Sequence, residues 1–147
     1  MRCQDRPTIE DDIWRFERLV RKVEYYRNCK RSSLSRLYPK WLYYRFHILG
    51  RKLGFIIPPN VFGPGLAILH RGTIVVNFQA RIGKNCRVNT CVNIGTDVKY
   101  LDKAPRIGNN VYIGPGAKIF GDIQIANDIA IGANAVVNSS FNEPGTL

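Results

Sequence analysis

The sequence predicts a mainly β protein, a parallel β-helix of six-residue repeats preceded by two α-helices. Three observations carry this. Counting in sixes from Val76, the positions Val76, Ile82, Val88 and Ile94 are all Ile or Val, and after one phase break so are Ile107, Ile113, Ile119, Ile125, Ile131 and Val137. The fifth residue of each hexad is apolar too: Ala80, Cys86, Val92, Val98, Val111, Ala117, Ile123, Ile129, Ala135 and Phe141. The fourth is mostly Asn, Asp or Gly, as at Asn85, Asp97, Asn110, Gly116, Asp122, Asp128 and Asn134. An inward β-branched residue, a corner that tolerates positive φ and a second small inward residue make one short side of a coil. Three sides give a coil of about eighteen residues, and stacked coils bury Ile over Ile. A β-sandwich is the competing reading, but it has no reason to keep a period of six.

The chain divides into a basic helical region, 1–54, and a β-helix domain, 55–147, with a projecting loop at 100–106. Thr8 to about Cys29 reads as an amphipathic helix. Ile9, Ile13, Phe16, Val20 and Val23 fall at helical spacing, and Thr8 with Asp11 resembles a capping box. A polar turn, Asn28 to Ser33, leads to a second helical pattern from about Leu34 to Leu53, with Pro39 as a candidate first helical residue and Gly54 as its stop. Tyr38, Trp41, Tyr43, Tyr44 and Phe46 are expected to pack against the first helix and the end of the coil. With the neighbouring Arg and Lys they also suit a lipid headgroup layer. Pro58-Pro59 ends the helical region. Stepping six from Ile94 reaches Tyr100, yet the repeat resumes seven residues later at Ile107. Tyr100 to Arg106 must therefore leave the coil, and such loops on rigid scaffolds commonly carry function.

The net charge of +11 is uneven. Residues 1–53 hold 14 Lys and Arg against 6 Asp and Glu, so most of the excess lies in the helices. That is a solvated face, or an attraction to phosphorylated ligands, anionic glycans or an anionic membrane. No recognisable nucleic-acid module accompanies it. No apolar run approaches a membrane span, and the N-terminus does not read as a signal peptide. Cys3, Cys29, Cys86 and Cys91 lack metal-ligand spacing, and Cys86 and Cys91 sit in the repeat as small hydrophobes. A reducing cytoplasm without disulfides or metal is the expectation. Asn138-Ser139-Ser140 matches a glycosylation acceptor, with nothing else to suggest secretion.

Four stretches then carry a resemblance: IPPNVFGPGLAILHRGTIVVN, ARIGKNCRVN, APRIGNNVYIGPGAKIFGDI and IAIGANAVV. They resemble the serine acetyltransferases and the related capsule polysaccharide O-acetyltransferases over roughly residues 40–143. The resemblance implies a left-handed β-helix, an exception to the usual right-handed crossover. It also implies homotrimers with acetyl-CoA in a cleft between neighbouring subunits, and no metal. His70 stands where the family has its catalytic histidine, and an imidazole suits removal of a hydroxyl proton at neutral pH. Strict phase, counted back six from Val76, instead points His70 into the coil as a packing residue. His47, the other histidine, reads as packing or surface. Carried over by position, acetyl-CoA contacts fall on Gly95, Thr96, Pro115, Gly116, Ala117 and Ala133, which also serve as corners and core alanines. Lys103 matches a residue holding the serine carboxylate, and Asp102 fits the same loop.

Three departures bear on the acceptor. Ala104 replaces a second loop histidine, Leu69 replaces an acidic residue before His70, and Phe55 replaces the aspartate that orients the catalytic imidazole. They point away from free serine and towards another hydroxyl, such as a sugar; an inactive binding or scaffold protein is a further alternative. Family members continue through a basic tail that closes the cofactor site, whereas this sequence stops at Gly145-Thr146-Leu147. A truncated chain or an open last coil is the expectation there.

Overall fold

In a computed structural model, which describes residues 9–29, 37–97 and 100–146, Ile119 stands in register between Ile94 and Val137. That vertical pairing recurs round the whole coil. Two helices come first, α1 (Ile9–Asn28) and α2 (Leu37–Leu53). Thirteen short strands follow: β1 (Phe55–Ile56), β2 (Ala67–Ile68), β3 (Ile74–Val76), β4 (Arg81–Ile82), β5 (Arg87–Val88), β6 (Asn93–Gly95), β7 (Arg106–Ile107), β8 (Tyr112–Ile113), β9 (Lys118–Phe120), β10 (Gln124–Ile125), β11 (Ile129–Ile131), β12 (Val136–Val137) and β13 (Gly145–Thr146). They form three parallel sheets: the first in order β1-β3-β6-β9-β12, the second β10-β7-β4, the third β13-β11-β8-β5-β2. This is the parallel β-helix that the period of six predicts.

The registers stack like on like. Ile68, Val88, Ile113 and Ile131 form one column, and Ile82, Ile107 and Ile125 another. All are buried, as are Ala80, Cys86, Val92, Val111 and Ala117 behind them. The corners are left-handed where the sequence places Asn or Asp: Asn85, Asn110, Asp128 and Asn134 all have φ between +56° and +59°. Cys91 also takes a positive φ of 60° and is exposed. It is a corner residue, and Val92 beside it fills the core, so its expected role as a small inward hydrophobe does not hold.

The helices close one end of the coil. Ile13, Phe16, Val20 and Val23 of α1 are buried, and Phe16 stacks on Phe46 at 5.4 Å and meets Phe55 edge-on at 5.1 Å. The adjoining flank of α1 latches the rim of the first coil. Arg21 donates to the carbonyls of Phe62 and Gly63, Glu24 accepts from the Asn60 N–H, and Asn28 exchanges hydrogen bonds with Asn60. These contacts occupy a strand edge that would otherwise be open. Gly54 ends α2 with φ +84°, the left-handed stop expected of a glycine. Pro39 lies inside α2, whose described part begins at Leu37, rather than at its first position. The Thr8 cap, Cys3, Val98 and the stretch from Lys30 to Arg36 lie outside the described residues.

The aromatic face of α2 follows expectation only in part: the Tyr38 ring meets Tyr26 of α1 edge-on at 5.1 Å, but most of these rings are exposed. Only Phe46 is buried; Tyr38, Trp41, Tyr43 and Tyr44 are exposed. Leu42, Gly50 and Leu53 complete the packed side, and the ring residues fall on the rest of the helix surface. Among the described residues no helix is long and apolar enough to cross a membrane.

Candidate active site

The corner that carries His70 is longer than those stacked on it. From Val88 to Ile94, from Ile113 to Ile119 and from Ile131 to Val137 the third sheet passes to the first in six residues. Below them, Ile68 pairs with Val88 and Val76 pairs with Ile94, so the passage from Ile68 to Val76 takes eight. Two extra residues swell this corner outward. Ile68 takes the inward position, and Leu69 and His70 are exposed. The inward position that strict phase gives His70 is thereby corrected. Among the described residues no side chain or backbone group hydrogen-bonds the His70 ring.

The swollen turn is held by its backbone. The Leu69 N–H donates to the Val88 carbonyl at 3.0 Å, and the Gly72 N–H to the Leu53 carbonyl at 3.2 Å. Gly72 has φ +136° and faces Thr90 so closely that a Cβ there would overlap the Thr90 side chain. From below, Glu17 of α1 accepts a 2.6 Å hydrogen bond from the Ile68 N–H, two residues before His70. Burial pushes the Glu17 carboxyl above the usual glutamate range, partly offset by the Ile68 hydrogen bond and by Arg21. Sequence reading missed Glu17. Its signal was an acidic residue one turn after Ile13, on the flank of an apolar helical stripe.

Above the His70 corner rises a column of small residues. The Gly116 N–H donates to the Thr90 carbonyl, and the Asn134 N–H donates to the Pro115 carbonyl. Pro115, Gly116 and Ala133 thus share one corner with the His70 turn beneath them. Ala117 is fully buried and offers only backbone: its carbonyl accepts from the Asn93 N–H.

Gly95 and Thr96 stand at the other end of β6, across the outer face of the first sheet. With Asn93, Lys118, Ile119 and Phe120 they line a groove of about 300 Å³. The loop leaves from this edge. It is pinched where the Asp97 N–H donates to the Lys103 carbonyl and the Lys103 N–H to the Tyr100 carbonyl. Ala104 and Pro105 are already buried in the wall, and Arg106 opens β7. Lys103 Nζ lies 2.9 Å from Asp122 and 5.1 Å from the Tyr100 ring centre, and that bond to Asp122 raises its pKa. Asp102 is exposed. Within one chain, His70 and the column therefore occupy one edge of the first sheet. Gly95, Thr96, Asp102 and Lys103 occupy the other.

Each departure has a structural counterpart. Phe55 is buried against Phe16, Leu69 faces solvent, and Ala104 is buried. None supplies an acid beside the imidazole. His47 is exposed, with its ring edge-on to Tyr43 at 4.4 Å. Among the described residues no group of three or more His, Cys, Asp or Glu is arranged to hold a metal ion.

No family model matches the chain. It is 36% identical to a serine acetyltransferase of Helicobacter pylori over 107 residues, which cover 66% of this chain and 63% of that protein. A Neisseria gonorrhoeae serine acetyltransferase solved in complex with serine superposes with a TM-score of 0.72 at 26% identity, over 92% of this chain and 53% of that one. A serine acetyltransferase solved in complex with CoA gives 0.71 at 26% identity, over 90% and 52%. This chain thus spans between half and two thirds of the length of these relatives. Its fold is the left-handed form of the parallel β-helix, and in sequence and architecture it is similar to the serine acetyltransferases over the span they share.

Proposed function

We propose that this chain is an acetyl-CoA-dependent O-acetyltransferase with His70 as general base. The observation that carries the proposal is the two-residue swelling that puts His70 into solvent at the foot of the Pro115–Gly116–Ala133 corner. Similarity to serine acetyltransferases, one solved with CoA, supports the donor. The imidazole takes the acceptor's hydroxyl proton as that oxygen attacks the thioester carbonyl. Collapse of the tetrahedral adduct breaks the C–S bond, and the imidazolium returns its proton to the departing thiolate. The acceptor leaves as an acetate ester. The oxyanion needs hydrogen-bond donors, a role that backbone N–H groups can fill.

A complete site needs both edges of the first sheet. A second copy can bring its Gly95–Thr96 edge and loop to the His70 edge of the first, and a three-sided coil closes such contacts as a homotrimer. We place the reaction in the cytoplasm, where Cys29 and Cys91 stay reduced.

A sugar hydroxyl is the acceptor reading that the site chemistry favours over serine. Phe55, Leu69 and Ala104 remove the acidic and imidazole groups around the acceptor, and Lys103 is engaged by Asp122. Thiol release from acetyl-CoA tests both levels, with wild type beside His70→Ala and with L-serine or a sugar panel as acceptor. Loss of a general base lowers the rate by about 10²–10⁴. His70-dependent release with sugars alone supports the sugar reading, and release with serine overturns it. No His70-dependent release from a folded oligomer overturns the enzyme assignment.

A further inference from the structure

A strongly basic trough of about 400 Å³ lies between α1 and α2. Arg15, Arg18 and Lys22 line it from one helix, and Arg45 and Lys52 from the other. Asp12 is the one acid in its wall, and it is already paired with Lys52 at 2.9 Å and Arg15 at 3.4 Å. Arg18, Lys22 and Arg45 meet no carboxylate among the described residues. Arg18 lies over the Trp14 ring at 4.5 Å, and Arg45 over the Trp41 ring at 5.0 Å. Trp14 is 55% exposed and Trp41 49%. The chain has two tryptophans: Trp14 lines the trough, and Trp41 borders it through Arg45, which also lines it.

We propose that the α1–α2 trough docks the chain on an anionic lipid surface, with Trp14 and Trp41 at headgroup depth and the unpaired cations on lipid phosphates. Charge complementarity singles out this occupant. A second copy presenting the same face would set cation against cation. A soluble phosphate ligand would use the cations but leave both indole rings and the exposed Ile48 in water. Indoles capped by arginine, with lysines alongside and no spanning helix, are the composition of a helix pair lying in a bilayer interface. Basic side chains draw such a surface to an anionic leaflet, and added salt weakens the attraction. The trough also lies near the His70 turn, since Lys52 in its wall precedes Leu53, whose carbonyl accepts from the Gly72 N–H two residues after His70. Docking would therefore hold the His70 corner close to the membrane plane.

Tryptophan fluorescence and co-sedimentation test this on the intact chain, and neither readout depends on acetyl transfer. Vesicles of phosphatidylcholine with about one third phosphatidylglycerol are expected to pellet the protein and shift its emission to the blue. Pure phosphatidylcholine vesicles are expected to do neither. The double variant Arg18→Glu, Arg45→Glu changes two exposed side chains and should keep the native circular dichroism while losing at least about tenfold in vesicle affinity. High salt should act the same way on wild type. Four results would each overturn the proposal: no binding to anionic vesicles, equal binding to neutral ones, unchanged binding by a folded double variant, or a blue shift with duplex DNA or inorganic phosphate in place of lipid. A change of oligomeric mass in the double variant would instead assign the trough to contacts between copies.

Discussion

Glu17 Oε1 accepts the Ile68 N–H at 2.6 Å and so ties the first helix to the strand that leads into His70. Ile68 is buried at the foot of its column, so its N–H has no ready substitute in water. Glu17→Ala should cost about 1–3 kcal/mol in urea unfolding, the desolvation cost of an orphaned donor. Glu17→Gln keeps an oxygen in place and should avoid most of that loss.

The two variants also separate by pH. Burial holds the Glu17 pKa above its ordinary value, so the folded state favours the protonated carboxyl. Its contribution is fully present below the ordinary glutamate pKa and is lost as pH rises through the raised value. Glu17→Gln carries no such loss, so it should gain on wild type between acidic and neutral pH. A Gln variant as unstable as Ala at neutral pH would show that the carboxylate itself holds Ile68.

The columns were legible in the sequence because stacking imposes the same demand on every coil. Val88, Ile113 and Ile131 must each fill one place, so the period survives translation into structure. The His70 corner was not legible by counting. Ile68 satisfies the column two residues early, and a hexad count from Val76 cannot register a turn that has grown outward. Cys91 failed for a related reason: its neighbour Val92 took the inward place, and the corner accepted a left-handed cysteine. Aromatic content likewise did not reveal which side of α2 was packed, because Leu42, Phe46, Gly50 and Leu53 sufficed. The Glu17 bond joins residues 51 apart, beyond the reach of any local pattern.

Corner chemistry yields a separate test. Asn110 has φ +57°, accepts from Asn85 Nδ2 at 3.2 Å and donates to Asp128 Oδ1 at 2.9 Å. Asn110→Gly keeps the conformation and loses only these exposed side-chain bonds. Asn110→Ala adds the left-handed penalty of about 1–2 kcal/mol. Thermal unfolding should therefore rank wild type and Gly above Ala. If Ala matched Gly, the corner would relax out of the left-handed region at no cost.

Depth within the coil should decide the cost of truncation. Ile113 is fully buried between Val88 and Ile131, whereas Val136 is 64% exposed on the first sheet. Ile113→Ala should destabilise by about 2–5 kcal/mol. Val136→Ala should stay within about 0.5 kcal/mol, the range of an ordinary surface change. Matching losses at both sites in denaturant unfolding would mean that Val136 is covered in solution, as a contact between copies on that face would make it.

Lys103 offers the sharpest separation of acceptors. Its ammonium is held at 2.9 Å by Asp122, and that hydrogen bond, followed by the carboxylate's charge, raises its pKa. The pair's contribution is present below the ordinary lysine value and is lost as pH climbs through the raised one, so Asp122→Asn should give up that small contribution at neutral pH and converge with wild type at alkaline pH. Both side chains are well exposed, so neither change should move the melting temperature appreciably. Kinetics carry the decision. If Lys103 grips the carboxylate of an amino-acid acceptor, Asp122 competes with that acceptor for the same ammonium. Asp122→Asn then lowers KM for serine, Lys103→Ala raises it, and kcat holds in both. A neutral sugar has no carboxylate to offer, so for it both variants should leave KM where wild type has it. Sugar KM values that follow the serine pattern would show that Lys103 reaches the acceptor through a hydroxyl, and the loop would then be a binding element for either substrate.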